Sequence, residues 1–257
     1  MKLQHQLNAL ETIVVKEIRR FMRIWIQTLL PPAITVALYF VIFGQLIGSR
    51  IGQIEGYTYM QYIVPGLIMM SVITNAYSNV VSSFYSTKFQ RSVEEMLVSP
   101  LPNHIIIWGF VLGGIARGMA VGLIVTVLAL FFTHLQVHDV WVTFSVVLLT
   151  ATLFSLGGLI NAVYAGSFDD ISIVPTFVLT PLTYMGGVFY SVNMLPPFWE
   201  TVSHINPILY MVNGFRYGIL GVSDVSLTFA YSMIGLAVVV LYVWAYWLLK
   251  NGVGIRT

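Results

Sequence analysis

The sequence predicts an all-α integral membrane protein with six transmembrane helices, an N-terminal interfacial amphipathic helix, a short cytoplasmic helix and an outer re-entrant helical hairpin. Composition supports this fold class, because 58% of the 257 residues are hydrophobic and only 9% are charged. Long stretches without any charged residue are the second observation. A soluble domain carries about 25% charged residues and cannot hide this much apolar surface from water.

The same composition excludes several other classes of protein. Intrinsic disorder requires low hydrophobicity, and a porin-like barrel shows alternating segments of ~10 residues rather than continuous apolar runs. Nucleic-acid binding is not indicated, since the net charge is only +2 and the basic residues follow membrane topology. The absence of cysteine excludes disulfides and thiolate metal sites.

Six apolar stretches are each long enough to cross a bilayer once, which takes roughly 20 helical residues. Five contain no Asp, Glu, Lys or Arg, and the third is interrupted only by Arg117. We predict transmembrane helices at residues 24–48, 57–84, 105–132, 141–165, 171–190 and 226–249. With the segments between them, they would form a single transmembrane domain over residues 1–257.

Lys and Arg are distributed unequally between the two sides of the predicted membrane. Nine accompany the termini and the loop between the second and third helices: Lys2, Lys16, Arg19, Arg20, Arg23, Lys88, Arg91, Lys250 and Arg256. The other side has only Arg50 and Arg216. Because basic residues mark cytoplasmic flanks, both termini are predicted to be cytoplasmic. The first apolar run ends in no Ala-x-Ala site, so we expect no cleavable signal peptide.

Residues 7–23 are predicted to form the interfacial helix. At about 100° per residue, the apolar side chains fall on one face and the basic ones near the opposite face. This pattern is typical of a helix lying in the membrane surface with its cations toward anionic headgroups. An ordinary basic flank of the first span is the alternative. Pro31-Pro32 then bends or restarts the helix.

Residues 85–98 are predicted to form a short cytoplasmic helix parallel to the membrane. Phe89, Val93, Met96 and Leu97 share one helical face, while Lys88, Arg91, Glu94 and Glu95 occupy the rest. Pro100 and Pro102 end the helix. The pattern fits a docking helix for a cytoplasmic partner and equally a helix that rests on lipid.

Two further segments leave alternatives open. The loop at 165–170 carries Asp169 and Asp170 but no cation, and Asp170 either caps the fifth span or adds a second contact with a partner. Residues 195–218 are apolar but broken by prolines and glycines, which predicts a re-entrant hairpin of two half-helices that begin at Pro197 and Pro207. Glu200 and Arg216 either meet within this hairpin or face water.

Sites for chemistry are few. The sequence has no phosphate-binding Gly-x-x-x-x-Gly-Lys-[Ser/Thr] loop and no His-Glu-x-x-His motif. His134 and His138 are a weak candidate for a metal pair, and no catalytic serine arrangement is evident. Arg117 lies among glycines in the third span, where the spacing Gly114-x-x-x-Gly118-x-x-x-Gly122 predicts a close-packing stripe. For Arg117 itself, a gating role competes with a structural role in binding carbonyls or a carboxylate.

Two motifs resemble the permease subunits of ABC-2 type transporters of bacterial inner membranes. Lys-Phe-Gln-Arg-Ser-Val-Glu-Glu-Met-Leu-Val-Ser-Pro-Leu-Pro (88–102) is similar to the coupling-helix stretch of that family. Pro-Pro-Phe-Trp-Glu…Asn-Pro-Ile…Gly-Phe-Arg-Tyr (196–217) is similar to its re-entrant segment. Ser92-Val93 departs from the Gly-Thr that the family often has. The resemblance covers nearly the whole chain and implies a type V exporter-like architecture.

The resemblance implies an exporter built from two copies of this chain and two ATP-binding subunits. This chain would hold no cofactor, because the partner ATPase would bind ATP and Mg²⁺. The residues implied in ATPase coupling are Phe89, Arg91, Val93, Glu94, Glu95, Leu97, Asp169 and Asp170. The residues inferred to line the transport pathway between the second and fifth spans of the two copies are Asn75, Tyr77, Asn79, Thr176, Thr180 and Tyr184.

Alternatives to this function remain open on the sequence. A channel or a secondary carrier would need no ATPase, and an intramembrane enzyme would need a catalytic set that the sequence does not display. Within the exporter interpretation, a drug-like amphiphile, a lipid and a polysaccharide are all compatible with the sequence. Arg117, Glu200 and Arg216 are the residues for which we expect structural or gating roles.

Overall fold

The computed structural model describes residues 3–254, apart from the side chains of Gln45 and Ser49. Lys2 and Arg256 of the predicted charge asymmetry lie outside the described residues. The first half contains α1 (Leu3–Arg23), α2 (Trp25–Thr28), α3 (Leu30–Tyr39), a π-helix (Phe40–Ile47), α4 (Gly48–Ile51), β1 (Gln53–Ile54), β2 (Tyr57–Thr58), α5 (Tyr59–Phe89), α6 (Ser92–Val98) and α7 (Asn103–Leu130). The second half contains α8 (Val140–Tyr164), α9 (Asp170–Val174), a π-helix (Pro175–Leu179), α10 (Thr180–Tyr184), a 3₁₀ turn (Val192–Met194), α11 (Pro197–Ile205), α12 (Pro207–Leu220) and α13 (Leu227–Asn251).

Five helical stretches in the described chain are long and apolar enough to cross a membrane, namely Trp25–Gly44, α5, α7, α8 and α13. The fifth predicted span, 171–190, takes a different form, because it runs as α9, a π-helix and α10 and ends at Tyr184. Pro175 and Pro181 lack the N–H that a regular helix needs. The structure therefore shows an all-α protein with several apolar membrane-spanning helices, and the count of six stays a prediction.

The centre of the bundle is α5, which packs between α7 and α8. The predicted close-packing stripe on α7 lies against it: a Cβ on Gly118 would meet Ala76, and one on Gly122 would meet Val72. On α8, Gly158 lies so close to α5 that an added Cβ would come within 2.6 Å of the Tyr77 carbonyl oxygen. Small residues thus allow close backbone approach where packing must hold helices together in lipid.

The amphipathic helix α1 packs on protein as well as facing outward. Gly109 and Gly113 of α7 provide the space, because a Cβ on either would collide with Ile13 or Glu17. Phe21 is buried, whereas Leu3 and Leu7 are exposed. From Ile13 onward the helix is therefore fixed to the bundle rather than resting on lipid alone.

The segment predicted as a re-entrant hairpin, 195–218, contains two short helices, α11 and α12, and its re-entry into the membrane stays a prediction. Pro197 and Pro207 are the first residues of these helices, and the Asn206 side chain accepts a hydrogen bond from the Ile208 N–H at 3.0 Å. Each helix is too short to cross a bilayer, and most of α12 is buried in the bundle. This agrees with backbone at membrane depth being covered by protein.

The two ends of the bundle differ in charge. We call the end that carries α6 the α6 end, and the end that carries the β1–β2 turn the outer end. The described basic residues at the α6 end are Lys16, Arg19, Arg20, Arg23, Lys88, Arg91 and Lys250. Arg50 and Arg216 belong to the outer end, and Arg117 lies near the middle of α7.

Candidate functional site

The α6 end is built around a sharp break between α5 and α6. Arg91 adopts a left-handed conformation with φ of +62°, and its N–H donates to the Lys88 carbonyl at 2.8 Å. The predicted continuous helix over 85–98 is therefore divided, because one left-handed residue ends α5 and redirects the chain. Glu94 and Glu95 lie in the first turn of α6, where the helix dipole favours negative charge.

Only part of the predicted apolar face of residues 85–98 turns inward. Val93 is fully buried, and Met96 and Leu97 pack against the core. Phe89 is instead 66% exposed, and Val98 is 88% exposed. The break at Arg91 separates Phe89 from Val93. Val93 therefore holds α6 to the bundle, whereas the Phe89 side chain is uncovered.

The loop at 165–170 lies beside this exposed segment. The Phe168 ring contacts Tyr85 and Phe89, with ring centroids 4.8 and 5.3 Å apart. The Lys88 ammonium donates to the carbonyls of Val163 and Ala165, at 2.7 and 2.8 Å. Since those carbonyls end α8, Lys88 caps α8 from the end of α5. We call Phe89, Phe168 and α6 together the α6-end surface.

Asp170 shapes the loop instead of capping the helix that follows it. Its carboxylate accepts hydrogen bonds from the N–H groups of Gly166 and Ser167, at 2.9 and 3.1 Å, and from the Ser167 hydroxyl at 2.8 Å. The Ser167 hydroxyl, followed by these amides, holds the pKa of Asp170 below its ordinary value. Asp169 is exposed next to it. The loop is thus a preformed turn with one free carboxylate.

A cleft of about 380 Å³ lies within the α6-end surface. Its walls are both charged and aromatic: Tyr85, Lys88, Phe89, Arg91, Glu94, Tyr164, Ala165, Gly166 and Gly254. Arg91 and Glu94 present opposite charges at its rim. A cleft with this lining suits a protein side chain that combines an apolar body with a polar tip.

The predicted pathway residues on α5 lie inside the chain. Asn75, Tyr77 and Asn79 are at most 4% exposed, because they face α7 and α8. The open face of α5 carries a different set of polar residues at every fourth position: Thr74, Ser78, Ser82 and Ser86. We call this set the α5 hydroxyl stripe.

The pathway residues predicted on the fifth segment are open. Thr176, Thr180 and Tyr184 are exposed and, with Ser172, recur at every fourth position. This face is next to α5, since α9 and its π-helix contact α5. The uncovered polar side chains of α5 and of the fifth segment therefore lie on two neighbouring elements.

Arg117 is held by neutral groups. Its guanidinium donates to the Asn75 side-chain oxygen at 3.1 Å and to the Thr28 carbonyl at 3.4 Å, while its Nε has no partner among the described residues. One turn along α5, Asn79 binds Arg20 through its backbone and side-chain oxygens, both at 2.9 Å. Arg20 also pairs with the fully buried Glu17 at 3.3 Å. Asn75 and Asn79 thus anchor two arginines.

Arg216 is fully buried at the outer end and pairs with Asp224 at 3.9 Å. It also donates to the Gly187 carbonyl and lies 4.1 Å from the Tyr62 ring centre. The considered meeting of Arg216 with Glu200 does not occur. Counted from the turn at Asn206, Glu200 lies about 9 Å along α11 and Arg216 about 15 Å along α12, so the two are not level.

Metal and catalytic arrangements are not evident in the described chain. No group of three or more His, Asp or Glu could hold a metal ion there. His134 and His138 both line a polar pocket of about 500 Å³ at the outer end. Ser155 is buried on α8 against Gly114 of α7, whereas Ser167 lies in the loop that follows α8.

The structural roles of several residues were not predicted from the sequence. Glu17 gave a usable signal, because at 100° per residue it falls only 60° from Val14, on the apolar side of α1. Lys88 and Asp224 gave none, since their partners are carbonyls and an arginine that only the fold brings near. Ser82, Ser86 and Ser172 are recognisable only once the open face is known.

Comparison with known proteins identifies the family. The family model described as ABC-2 type transporter matches residues 8–220. The chain belongs to the ABC-2 type transporter family. It is similar to the inner membrane transport permease YadH of Escherichia coli K12, with 60% identity over 97% of each chain. More distant relatives are nodulation protein J of Neorhizobium galegae, 22% identical over 74% of each chain, and of Rhizobium leguminosarum bv. trifolii, 24% identical over 72% of this chain and 71% of the relative.

Membership of the ABC-2 family confirms the resemblance of the two sequence motifs. It makes this chain a membrane permease of an ABC transporter and implies association with an ATP-binding subunit. Together with the apolar helices, the similarity to an inner membrane permease supports a multi-pass protein of the inner membrane. A transport subunit is not expected to be an enzyme itself.

Proposed function

We propose that this chain is the permease of an ABC exporter and that its α6-end surface docks a separate ATPase in the cytoplasm. The observation that carries this proposal is the uncovered aromatic surface at that end, with Phe89 66% and Phe168 51% exposed beside charged residues. Large apolar side chains rimmed by charges mark contact sites for proteins. Under this proposal the partner binds ATP and Mg²⁺, and this chain holds no cofactor.

We expect the α6-end surface to transmit a displacement of the partner to the helices of the bundle. Val93 fixes α6 to the core, and Lys88 joins the end of α5 to the end of α8. A displacement of α6 therefore moves α5 and α8 together. Glu94, Glu95 and Asp169 remain free to pair with basic side chains of the ATPase, which supports the predicted coupling role of this region.

The transport pathway is proposed to form between two copies of the chain. The α5 hydroxyl stripe and the open stripe of Thr176, Thr180 and Tyr184 lie on two neighbouring elements. Exposed polar side chains at membrane depth are expected to face protein or water rather than lipid. A second copy placed against these two elements would enclose both stripes in a polar passage. Asn75, Tyr77 and Asn79, which the sequence predicts to line the pathway, are buried and would then support its wall from behind.

The excess of basic residues at the α6 end supports the proposal that this end, with both termini, faces the cytoplasm. The same orientation puts the α11–α12 hairpin at the outer side. Under this proposal the segment from α9 through α10, which is bent by its prolines, is the fifth of six spans.

Docking is tested with the double variant Phe89→Ala/Glu94→Ala, expressed with the ATP-binding subunit from the same bacterium. Loss of a central aromatic contact and its neighbouring charge should cost about 2 kcal/mol or more, roughly 30-fold in Kd. Phe131→Ala/Glu200→Ala is the matched control, because Phe131 is 81% exposed at the outer end. Equal ATPase recovery with both double variants, at equal membrane insertion, would refute docking at the α6-end surface.

The two-copy pathway is tested by cysteine crosslinking, for which the chain is suited because it contains no cysteine. Thr180→Cys should form disulfide-linked dimers in membranes, whereas Val240→Cys on the exposed face of α13 should not. A water-soluble thiol reagent should also label Ser78→Cys. Dimer formation through position 240 alone, with no labelling at 78, contradicts the proposed arrangement.

A further inference from the structure

A pocket of about 340 Å³ opens beside the α5 hydroxyl stripe, between the first span, α5 and α7. Arg117 lies at its inner end, and Met70, Thr74 and Ser78 of α5 form its rim. The pocket is therefore a side chamber of the proposed pathway. Its volume is within the range of small-molecule sites, about 300–1,000 Å³.

The positive charge of Arg117 is not neutralised by the protein. Glu17, which lies against Gly113 on the same helix as Arg117, already pairs with Arg20 and accepts a hydrogen bond from Ser83 at 2.7 Å. Among the described residues, no acid lies within salt-bridge distance of Arg117. A cation at the middle of a spanning helix is costly in lipid, so a counter-ion in the pocket would be stabilised.

The prolines of the first span explain how Arg117 is oriented. Pro32 has no N–H, so the Thr28 carbonyl four residues earlier is free of its usual helical partner. Arg117 donates to that carbonyl and to Asn75. Both hydrogen bonds come from the same terminal nitrogen, Nη2, and the Nε has no partner in the described chain. The group is thus positioned and still incompletely bonded.

The remaining walls define the rest of the ligand. The hydroxyls of Thr35 and Ser78 can donate hydrogen bonds to an anion, and Val36, Met70 and Pro31 add apolar surface. A small free anion would have to cross hydrocarbon to reach this depth, whereas an amphiphile can enter sideways with its tail in lipid. The pocket combines one cation, several hydroxyls and an apolar exit.

We propose that this pocket binds the phosphate headgroup of an anionic amphiphile, with Arg117 as the residue that recognises its charge. The headgroup can belong to a resident membrane lipid or to a transported molecule. Binding by the purified chain needs no ATPase, so this proposal and the docking proposal can fail separately.

The test is native mass spectrometry of the delipidated, purified chain with two phosphate probes and their uncharged or zwitterionic counterparts. We expect dioleoylphosphatidylglycerol to bind at least tenfold more tightly than dioleoylphosphatidylcholine, or dodecyl phosphate at least tenfold more tightly than dodecyl maltoside. Binding of phosphatidylglycerol alone identifies a resident lipid, binding of dodecyl phosphate alone identifies a transported single-chain amphiphile, and binding of both identifies a site for the headgroup itself.

Variants separate recognition by Arg117 from general electrostatic attraction. Arg117→Gln should reduce the preference to within about twofold, whereas Arg50→Gln, which removes an exposed arginine at the outer end, should leave it unchanged. Thr74→Trp fills the rim of the pocket without removing the charge and should also abolish binding, which covers the case that Arg117→Gln does not fold. Unchanged preference in Thr74→Trp, or equal binding of charged and neutral probes to the native chain, would overturn the proposal.

Discussion

The buried pair of Glu17 and Arg20 leads to an asymmetric prediction. Arg20→Met should destabilise the chain more than the double replacement Glu17→Leu/Arg20→Met. The single variant leaves the fully buried Glu17 carboxylate with only Ser83 as a partner, and it also removes both contacts of Arg20 with Asn79. Breaking a buried pair on one side costs about 3–5 kcal/mol.

The double variant removes the uncompensated charge. Its remaining cost is the loss of hydrogen-bond partners for Asn79 and Ser83, together about 1–3 kcal/mol. Glu17→Leu alone should be mild, because the Arg20 side chain is 30% exposed and keeps its contacts with Asn79. The single Arg20 variant is therefore expected to be less stable than the double variant by about 2 kcal/mol.

The assay is unfolding of the purified chain by SDS in mixed micelles, followed by the fluorescence of its six tryptophans. Arg19→Met is the control, since Arg19 is exposed on the same helix and its loss should change the unfolding free energy by less than about 0.5 kcal/mol. A double variant destabilised by the sum of its two single variants would mean that Glu17 and Arg20 act independently, and the reasoning would be wrong.

Three further predictions concern other parts of the bundle. Gly158→Ala should destabilise by about 1–3 kcal/mol in the same unfolding assay, because its Cβ would meet the Tyr77 carbonyl, whereas Gly235→Ala has open space and should be neutral or stabilising. Asp224→Asn should lower the unfolding free energy by several kcal/mol, because it leaves a buried arginine uncompensated. Burial and the nearby Asp224 carboxylate raise the pKa of Glu55, so stability should fall as pH rises above about 4.5, and Glu55→Gln should flatten that melting profile.

The sequence predicts those features that depend on local chemistry. Proline as a first helical residue and asparagine as a cap locate both halves of the outer hairpin at Pro197 and Pro207. Glycine spacing correctly indicates the face of α7 that meets α5. In both cases one residue type has a strong preference for one local structure, and the tertiary packing does not oppose that preference.

The orientation of α5 is not predictable in the same way. This helix is apolar with polar residues on two faces, so periodicity does not distinguish a buried polar face from an open one. Asn75 and Asn79 bind arginines inside the bundle, while Thr74 and Ser78 one residue earlier face outward. A rotation of one residue, about 100°, exchanges the two sets, and only tertiary packing fixes it.

The position of α5 suggests why one helix can serve the whole transport cycle. Its α6 end carries Phe89, its middle supports Arg117 through Asn75, and its outer end places Tyr62 against Arg216. A continuous helix of 31 residues transmits displacement with little loss, and Pro65 interrupts its hydrogen bonding only near the outer end. A push at the α6-end surface would therefore tilt α5 about a point close to Pro65, changing the Arg117 pocket and the hydroxyl stripe together. Under the proposed docking, coupling between the ATPase and the pathway needs no relay of side chains, because the docking surface and the pathway residues both belong to the same continuous helix, α5.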